Sequence, residues 1–115
     1  MTVEWHKFMM HPNELNWTDQ HLAAVEVDGR KLGIARWQDQ LYGFQQKCPH
    51  ASADMVSGYV DAMGNVVCPL HRYKFCLKNG RNVSGEGYYL RTYAIEERED
   101  GWYIGLPPKS MFKWI

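Results

Sequence analysis

Two short segments of the chain combine a thiol with an imidazole: Cys48-Pro49-His50 and Cys68-Pro69-Leu70-His71, with 17 residues between His50 and Cys68. Thiolates and neutral imidazoles are both good ligands for soft and borderline transition metals. With one Cys and one His in each segment, two loops brought side by side would offer four donors, two of sulfur and two of nitrogen. Two chemistries use that set. A two-iron two-sulfur cluster can take two cysteine sulfurs on one iron and two histidine nitrogens on the other, and zinc accepts two Cys and two His in a closed tetrahedron. Common zinc fingers group like ligands in one knuckle, whereas this chain interleaves them, so the order favours the cluster. Haem of the c type is excluded, because Cys-x-x-Cys-His does not occur.

The flanking sequence must bring the two loops together. Tyr59 to Asp61 and Asn65 to Val67 read as a hairpin across Ala62-Met63-Gly64, which would return Cys68 beside Cys48. Upstream, Glu4 to Met9 reads as a strand, His11-Pro12-Asn13 as a turn and Leu15 to Thr18 as an irregular connection. Leu22 to Val27 and Lys31 to Trp37 flank Asp28-Gly29, a strong hairpin signal, and Gln38-Asp39-Gln40 turns the chain into a third strand, Leu41 to Gln45. Downstream, Tyr73 to Leu77 is a strand ended by Asn79-Gly80. Tyr88 to Glu97 and Trp102 to Leu106 then form a final hairpin through Glu99-Asp100-Gly101. About nine short strands without a helical apolar period predict an all-β fold, an antiparallel sandwich or open barrel. A small cluster-binding subdomain is expected from about residue 46 to 80, within a single domain spanning residues 1–115.

The spacing C-x-H, 17 residues, C-x-x-H, followed by an aromatic-rich strand and Lys78-Asn79-Gly80, resembles the Rieske iron-sulfur proteins, and the resemblance extends from about Trp5 to Leu106. It implies that Cys48 and Cys68 hold a buried iron that stays ferric. His50 and His71 would hold a second iron at the protein tip, easier to reduce because imidazole is neutral where thiolate is negative. It also implies outer-sphere transfer of single electrons, with a reductase and an oxygenase as protein partners, or a place as the small subunit of a nitrite-reductase-like oxidoreductase. A zinc-bound interaction module is the third reading.

Departures from the family bear on the potential. High-potential members carry a disulfide at the places of Ala53 and Leu70, and hydroxyl donors to the cluster at those of Tyr73 and Phe75. Here no disulfide can form, and Phe75 cannot donate. Fewer hydrogen bonds to the sulfurs predict a potential at the low end of the Rieske range, about −150 mV. Ser52 and Arg72 stand where the family usually has glycine, a residue that supplies positive φ or close approach.

Composition bounds the rest. The chain of 115 residues, 45% hydrophobic, is long enough for one independent core. Lys plus Arg balance Asp plus Glu at 13 each, so no broad basic field invites nucleic acid or anionic membrane. Lys47, Arg72, Lys74 and Lys78 outnumber Asp54 and Asp61 around the ligand segments, a weak basic rim on what reads chiefly as a solvated surface. Neither a signal peptide nor a membrane span is evident, and three cysteines do not suit a disulfide framework. A cytoplasmic home is expected. No nucleophile, general base or substrate site can be assigned, so the expectation is an electron-transfer component without catalysis of its own. Pro49, Met55, Pro69 and Leu70 should surround the metal centre with apolar surface, part of it a shield, which is the default, and part a docking patch. Cys76 reads as a small apolar filler, His6, His11 and His21 as surface residues, and Trp5, Trp17, Trp37, Trp102 and Trp114 as sandwich core or rim. The aromatic, basic tail from Pro107 to Ile115 is expected to fold back over the sheet or contact another subunit.

Overall fold

A computed structural model describes residues 2–51 and 53–109. Ten strands form three antiparallel sheets: β1 (Glu4–Met9), β2 (Leu22–Val27), β3 (Arg30–Trp37), β4 (Gln40–Gln45), β5 (Tyr59–Val60), β6 (Asn65–Val67), β7 (Lys74–Cys76), β8 (Thr92–Tyr93), β9 (Ile95–Arg98) and β10 (Gly101–Leu106). The base is a four-stranded sheet ordered β2-β3-β4-β8, facing a three-stranded sheet ordered β1-β10-β9; the third sheet is β5-β6-β7. Asp28 and Gly29 both take positive φ, 54° and 77°, as the hairpin signal predicts.

The centre of β3 does not alternate: Leu32, Gly33, Ile34 and Ala35 are all buried. The reason is that the four-stranded sheet is covered on both faces. Leu32 and Ile34 join Val27, Tyr93, Ile104 and Leu106 in one core. Ala35, with Leu22 and Phe44, joins a second core that contains Met55, Val66, Phe75, Leu77, Leu90 and both Cys48 and Cys68. The segment that carries both Cys-His pairs is therefore packed as a third layer onto the base.

That segment leaves β4 and returns at β8, and its two ends are tied together. Gln45 N donates to the Arg91 carbonyl at 3.0 Å, and Arg91 N donates to Gln45 Oε1 at 2.7 Å. The expected single strand from Tyr88 to Glu97 is corrected: Thr92–Tyr93 pair with β4, whereas Ile95–Arg98 pair with β10. The chain changes sheets at Ala94, whose carbonyl accepts from Gly105 N at 3.0 Å, and residues 88–91 lie outside any strand.

The hairpin predicted between the ligand loops is present, with Tyr59 opposite Val67 and Val60 opposite Val66. Asp61 closes its turn. One carboxylate oxygen accepts from Met63 N at 3.0 Å and Asn65 N at 2.9 Å, and the other accepts from the Asn65 amide at 3.1 Å. Burial pushes the Asp61 carboxyl up, but these donors outweigh it and hold its pKa below the usual carboxylate range. A group held low stabilises the fold above its unfolded pKa, and that contribution is lost as pH falls through the folded pKa. Asp61→Ala is thus expected to cost about 1–2 kcal/mol at neutral pH. The difference in melting temperature from the parent should narrow below about pH 4; an equal difference at pH 7 and pH 2.5 would contradict this role.

The predicted surface histidines divide. His11 caps a short 3-10 turn, Pro12–Glu14, accepting from Asn13 N at 3.1 Å, and His21 is exposed, whereas His6 is half-buried on β1. Among the tryptophans, Trp17, Trp37 and Trp102 are half-buried and Trp5 is exposed, which places them at the rim. Trp114 and the tail beyond Lys109 lie outside the described residues, as does Ser52.

Candidate metal centre

The first ligand loop is closed by backbone. Lys47 bridges to Asp54, Cys48 N donates to the Ala53 carbonyl at 2.8 Å, and Met55 N donates to the Gln46 carbonyl at 2.7 Å. Asp54 then caps a 3-10 turn, Met55–Ser57, by accepting from Val56 N at 2.9 Å. The second loop is closed in the same way, with Cys68 N donating to the Tyr73 carbonyl at 2.9 Å and Arg72 N to the Cys68 carbonyl at 3.0 Å. Arg72 adopts φ 59°, so the left-handed conformation expected of glycine is retained here by arginine.

Both loops emerge at one tip. The donor atoms of Cys48, His50 and Cys68 lie within 4.8 Å of one another. His71 Nδ1 is 3.0 Å from His50 Nε2, which brings the fourth expected residue to the same place. The four are layered. Cys48 and Cys68 are 3% and 0% exposed within the core, His50 is half-buried, and His71 is exposed.

A third wall was missed by the sequence reading. Residues 81–90 fold over the tip, knotted by Asn82. Its amide donates to the Lys74 carbonyl at 3.2 Å and to Glu86 Oε1 at 2.9 Å, and its oxygen accepts from Gly87 N at 3.1 Å. The Ser84 hydroxyl and the Asn82 amide hold the Glu86 carboxyl below its ordinary range. Gly80 starts this wall with φ 76°; an added Cβ would stand 1.8 Å from the Leu90 carbonyl oxygen, so only glycine fits. The wall delivers Tyr88, whose ring lies 5.9 Å from that of Tyr73 and 5.6 Å from that of His50. Tyr73 itself covers His50 at a centroid distance of 4.0 Å. The run Asn82-Val-Ser-Gly-Glu-Gly87 is turn-rich and signals a loop, but nothing local tells that its tyrosine meets a histidine 38 positions earlier.

The apolar shell is divided between core and surface. Met55 is fully buried beneath the site, whereas Leu70 is 55% exposed beside it. Cys76 is half-buried and points opposite to the buried Phe75, as strand alternation requires.

The donor set fits a mixed sulfur-nitrogen metal cluster. Burial pushes the Cys48 thiol up, against the lowering effect of the His50 and Ala51 N–H groups. A thiolate in that place needs a neighbouring cation, and a coordinated metal is a cation that deprotonates a thiol outright. Outside the thiols, imidazoles complete the set with neutral donors in reach of solvent.

The model of the Rieske [2Fe-2S] domain family matches residues 5–93. Nitrite reductase [NAD(P)H] of Emericella nidulans is 37% identical over 95 residues, covering 75% of this chain and 9% of that protein. The 3-phenylpropionate/cinnamic acid dioxygenase ferredoxin subunit of Shigella boydii is 33% identical over 69 residues, covering 59% of this chain and 65% of that one. The chain thus spans less than two thirds of the length of either relative. Among solved structures, the ferredoxin of carbazole 1,9a-dioxygenase from Nocardioides aromaticivorans superposes with a TM-score of 0.72 at 22% identity, covering 94% of this chain and 100% of that one. With the fold, the paired loops and the buried thiols in agreement, the chain belongs to the Rieske [2Fe-2S] domain family, and a two-iron two-sulfur cluster is its cofactor.

Proposed function

We propose that the chain is a one-electron carrier, with Cys48 and Cys68 as the inner ligands of the cluster and His50 and His71 as the outer ones. The observation that carries this reading is the layering at the tip, thiols in the core and an imidazole pair 3.0 Å apart at the surface. The cluster, when bound, accepts and returns a single electron. The protein's residues hold it rigidly through two closed loops, exclude water on the cysteine side through Met55, Val66 and Phe75, and leave His71 open to a partner.

The donor is a reductase and the acceptor an oxygenase, by analogy with the dioxygenase ferredoxin relative. The similarity to nitrite reductase, the higher in identity of the two, supports a second reading, a component of a larger reductase. A carrier elutes alone on size exclusion; a permanent component copurifies with a larger chain. We place the protein in the cytoplasm as one domain, residues 1–115, its cluster subdomain, expected at about 46–80, continuing through the wall at 81–90. None of Cys48, Cys68 and Cys76 is joined in a disulfide, which suits a reducing compartment. No helix among the described residues is long and apolar enough to cross a membrane.

Electron paramagnetic resonance of anaerobically purified, dithionite-reduced protein tests the reading, alongside iron and zinc analysis. The expected result is a rhombic signal of low average g and two irons per chain; a silent, zinc-loaded protein would overturn it. Because Phe75 is buried without a hydroxyl and no cysteine stands at 53 or 70, redox titration should give about −150 mV. A midpoint well above zero would overturn the low-potential assignment.

A further inference from the structure

Arg72 directly follows His71 and holds a left-handed backbone, φ 59°, which side chains other than glycine, asparagine and aspartate adopt at a cost. Its guanidinium, like that of Arg81, lacks the partner that other arginines have among the described residues. Arg36 lies over Trp17, and Arg98 lies over Trp5 and Tyr103 while pairing with Glu96. Among the described residues, no carboxylate or aromatic ring takes the Arg72 guanidinium.

Arg72 lines a cleft of about 510 Å³ together with Gln20, Ser57, Tyr59, Cys68 and Pro69. The cleft runs alongside the second ligand loop. On the other flank of the tip, over His50, lie Tyr88 and the Glu86 carboxylate held by Asn82 and Ser84. The tip therefore carries an unpaired cation beside the second loop and a fixed anion beside the first. A strained backbone that displays an unpaired fork of donors in a polar cleft is suited to a bidentate carboxylate.

We propose that this cleft is the docking notch for an acidic side chain of the redox partner, the carboxylate pairing with Arg72 so that the partner's electron acceptor lies against His71. The inference rests on the reading of the chain as an electron carrier. Gln20, Ser57 and Tyr59 supply further hydrogen-bonding groups around the carboxylate. A like-charged arrangement on the Glu86 side disfavours docking in the reversed orientation.

Stopped-flow oxidation of the reduced holoprotein by two haem proteins tests this. Cytochrome b5 presents an acidic haem rim and cytochrome c a basic one. Arg72→Gln and Arg72→Gly are each expected to slow transfer to cytochrome b5 by about threefold to fivefold at low ionic strength. The difference should close at high salt, while transfer to cytochrome c is unchanged or faster. Lys7→Gln, which removes the same charge from exposed β1, should leave both rates near those of the parent. The notch is overturned if Arg72→Gln leaves the cytochrome b5 rate unchanged or if Lys7→Gln slows it equally. It also falls if Arg72→Gly, which lacks the charge but relieves the backbone, keeps the parent rate. A parent protein that reduces neither haem protein and shows no iron-sulfur signal would instead sink the electron-carrier reading itself.

Discussion

Cys68→Ser is expected to yield a colourless protein that retains its base but no cluster. Cys68 is wholly buried beside Val66 and Phe75, and its loop is held by backbone hydrogen bonds that fix the position of the sulfur. A serine hydroxyl keeps the position but is a poor partner for iron where a soft thiolate is required. It also leaves a hydroxyl in an apolar core, at about 1–3 kcal/mol if unsatisfied. The core formed by Val27, Leu32, Ile34, Ile104 and Leu106 includes neither ligand loop, so strand content in far-ultraviolet circular dichroism should largely persist. Iron content, visible absorption and the paramagnetic signal should all disappear together. Undiminished colour and iron would remove Cys68 from the ligand set. His71→Ala, at an exposed position, should lose the intact cluster with less effect on the melting temperature of the metal-free protein.

Gly58→Ala should be nearly as damaging, although Gly58 carries no ligand. An added Cβ would sit 1.9 Å from the Val67 carbonyl oxygen and 3.0 Å from its carbon. Both belong to the backbone of the strand that ends one residue before Cys68, so no side-chain rotation relieves the clash. Either β5 separates from β6 or the second ligand loop shifts. Overpacking of this kind costs about 1–3 kcal/mol, occasionally more, and here the displacement is delivered to Cys68. The expected outcome is a lowered melting temperature together with faster cluster loss to a chelator. A variant with parental stability and parental cluster lifetime would show that the hairpin does not set the position of Cys68.

What could be read from the sequence divides by range. The convergence of Cys48, His50, Cys68 and His71 at one tip was legible because each pair is local and the hairpin between them obeys local rules, with Asp61 and Gly64 at its turn. The strands β2, β3 and β4 were legible from Asp28-Gly29 and the short turn after Trp37. The aromatic run Tyr88-Tyr89-Leu90-Arg91-Thr92-Tyr93 reads as one strand on composition, yet it serves three masters. Tyr88 lies against His50, Leu90 fills the cluster-side core, and Tyr93 fills the other. Such a division depends on which surfaces the base offers, and propensity carries no record of that. The cover of Tyr73 and Tyr88 over His50 was hidden for the same reason, as was the asymmetry it creates between the two histidines.

The knot between Gln45 and Arg91 gives the fold a modular character. Because the segment between them begins and ends on hydrogen-bonded neighbours, 46–91 is a cartridge plugged into a continuous base, not a span that holds the base together. Its closure entropy is borne by one pair of adjacent strands, β4 and β8. A short Gly-rich bridge from Gln45 to Arg91, with polar replacements at Leu22 and Phe44 where the cartridge leaves, should therefore produce a metal-free miniature of the base. By the same logic, the cartridge could be transplanted between bases that share this pair of strands, carrying its redox centre while the new host supplies a different surface.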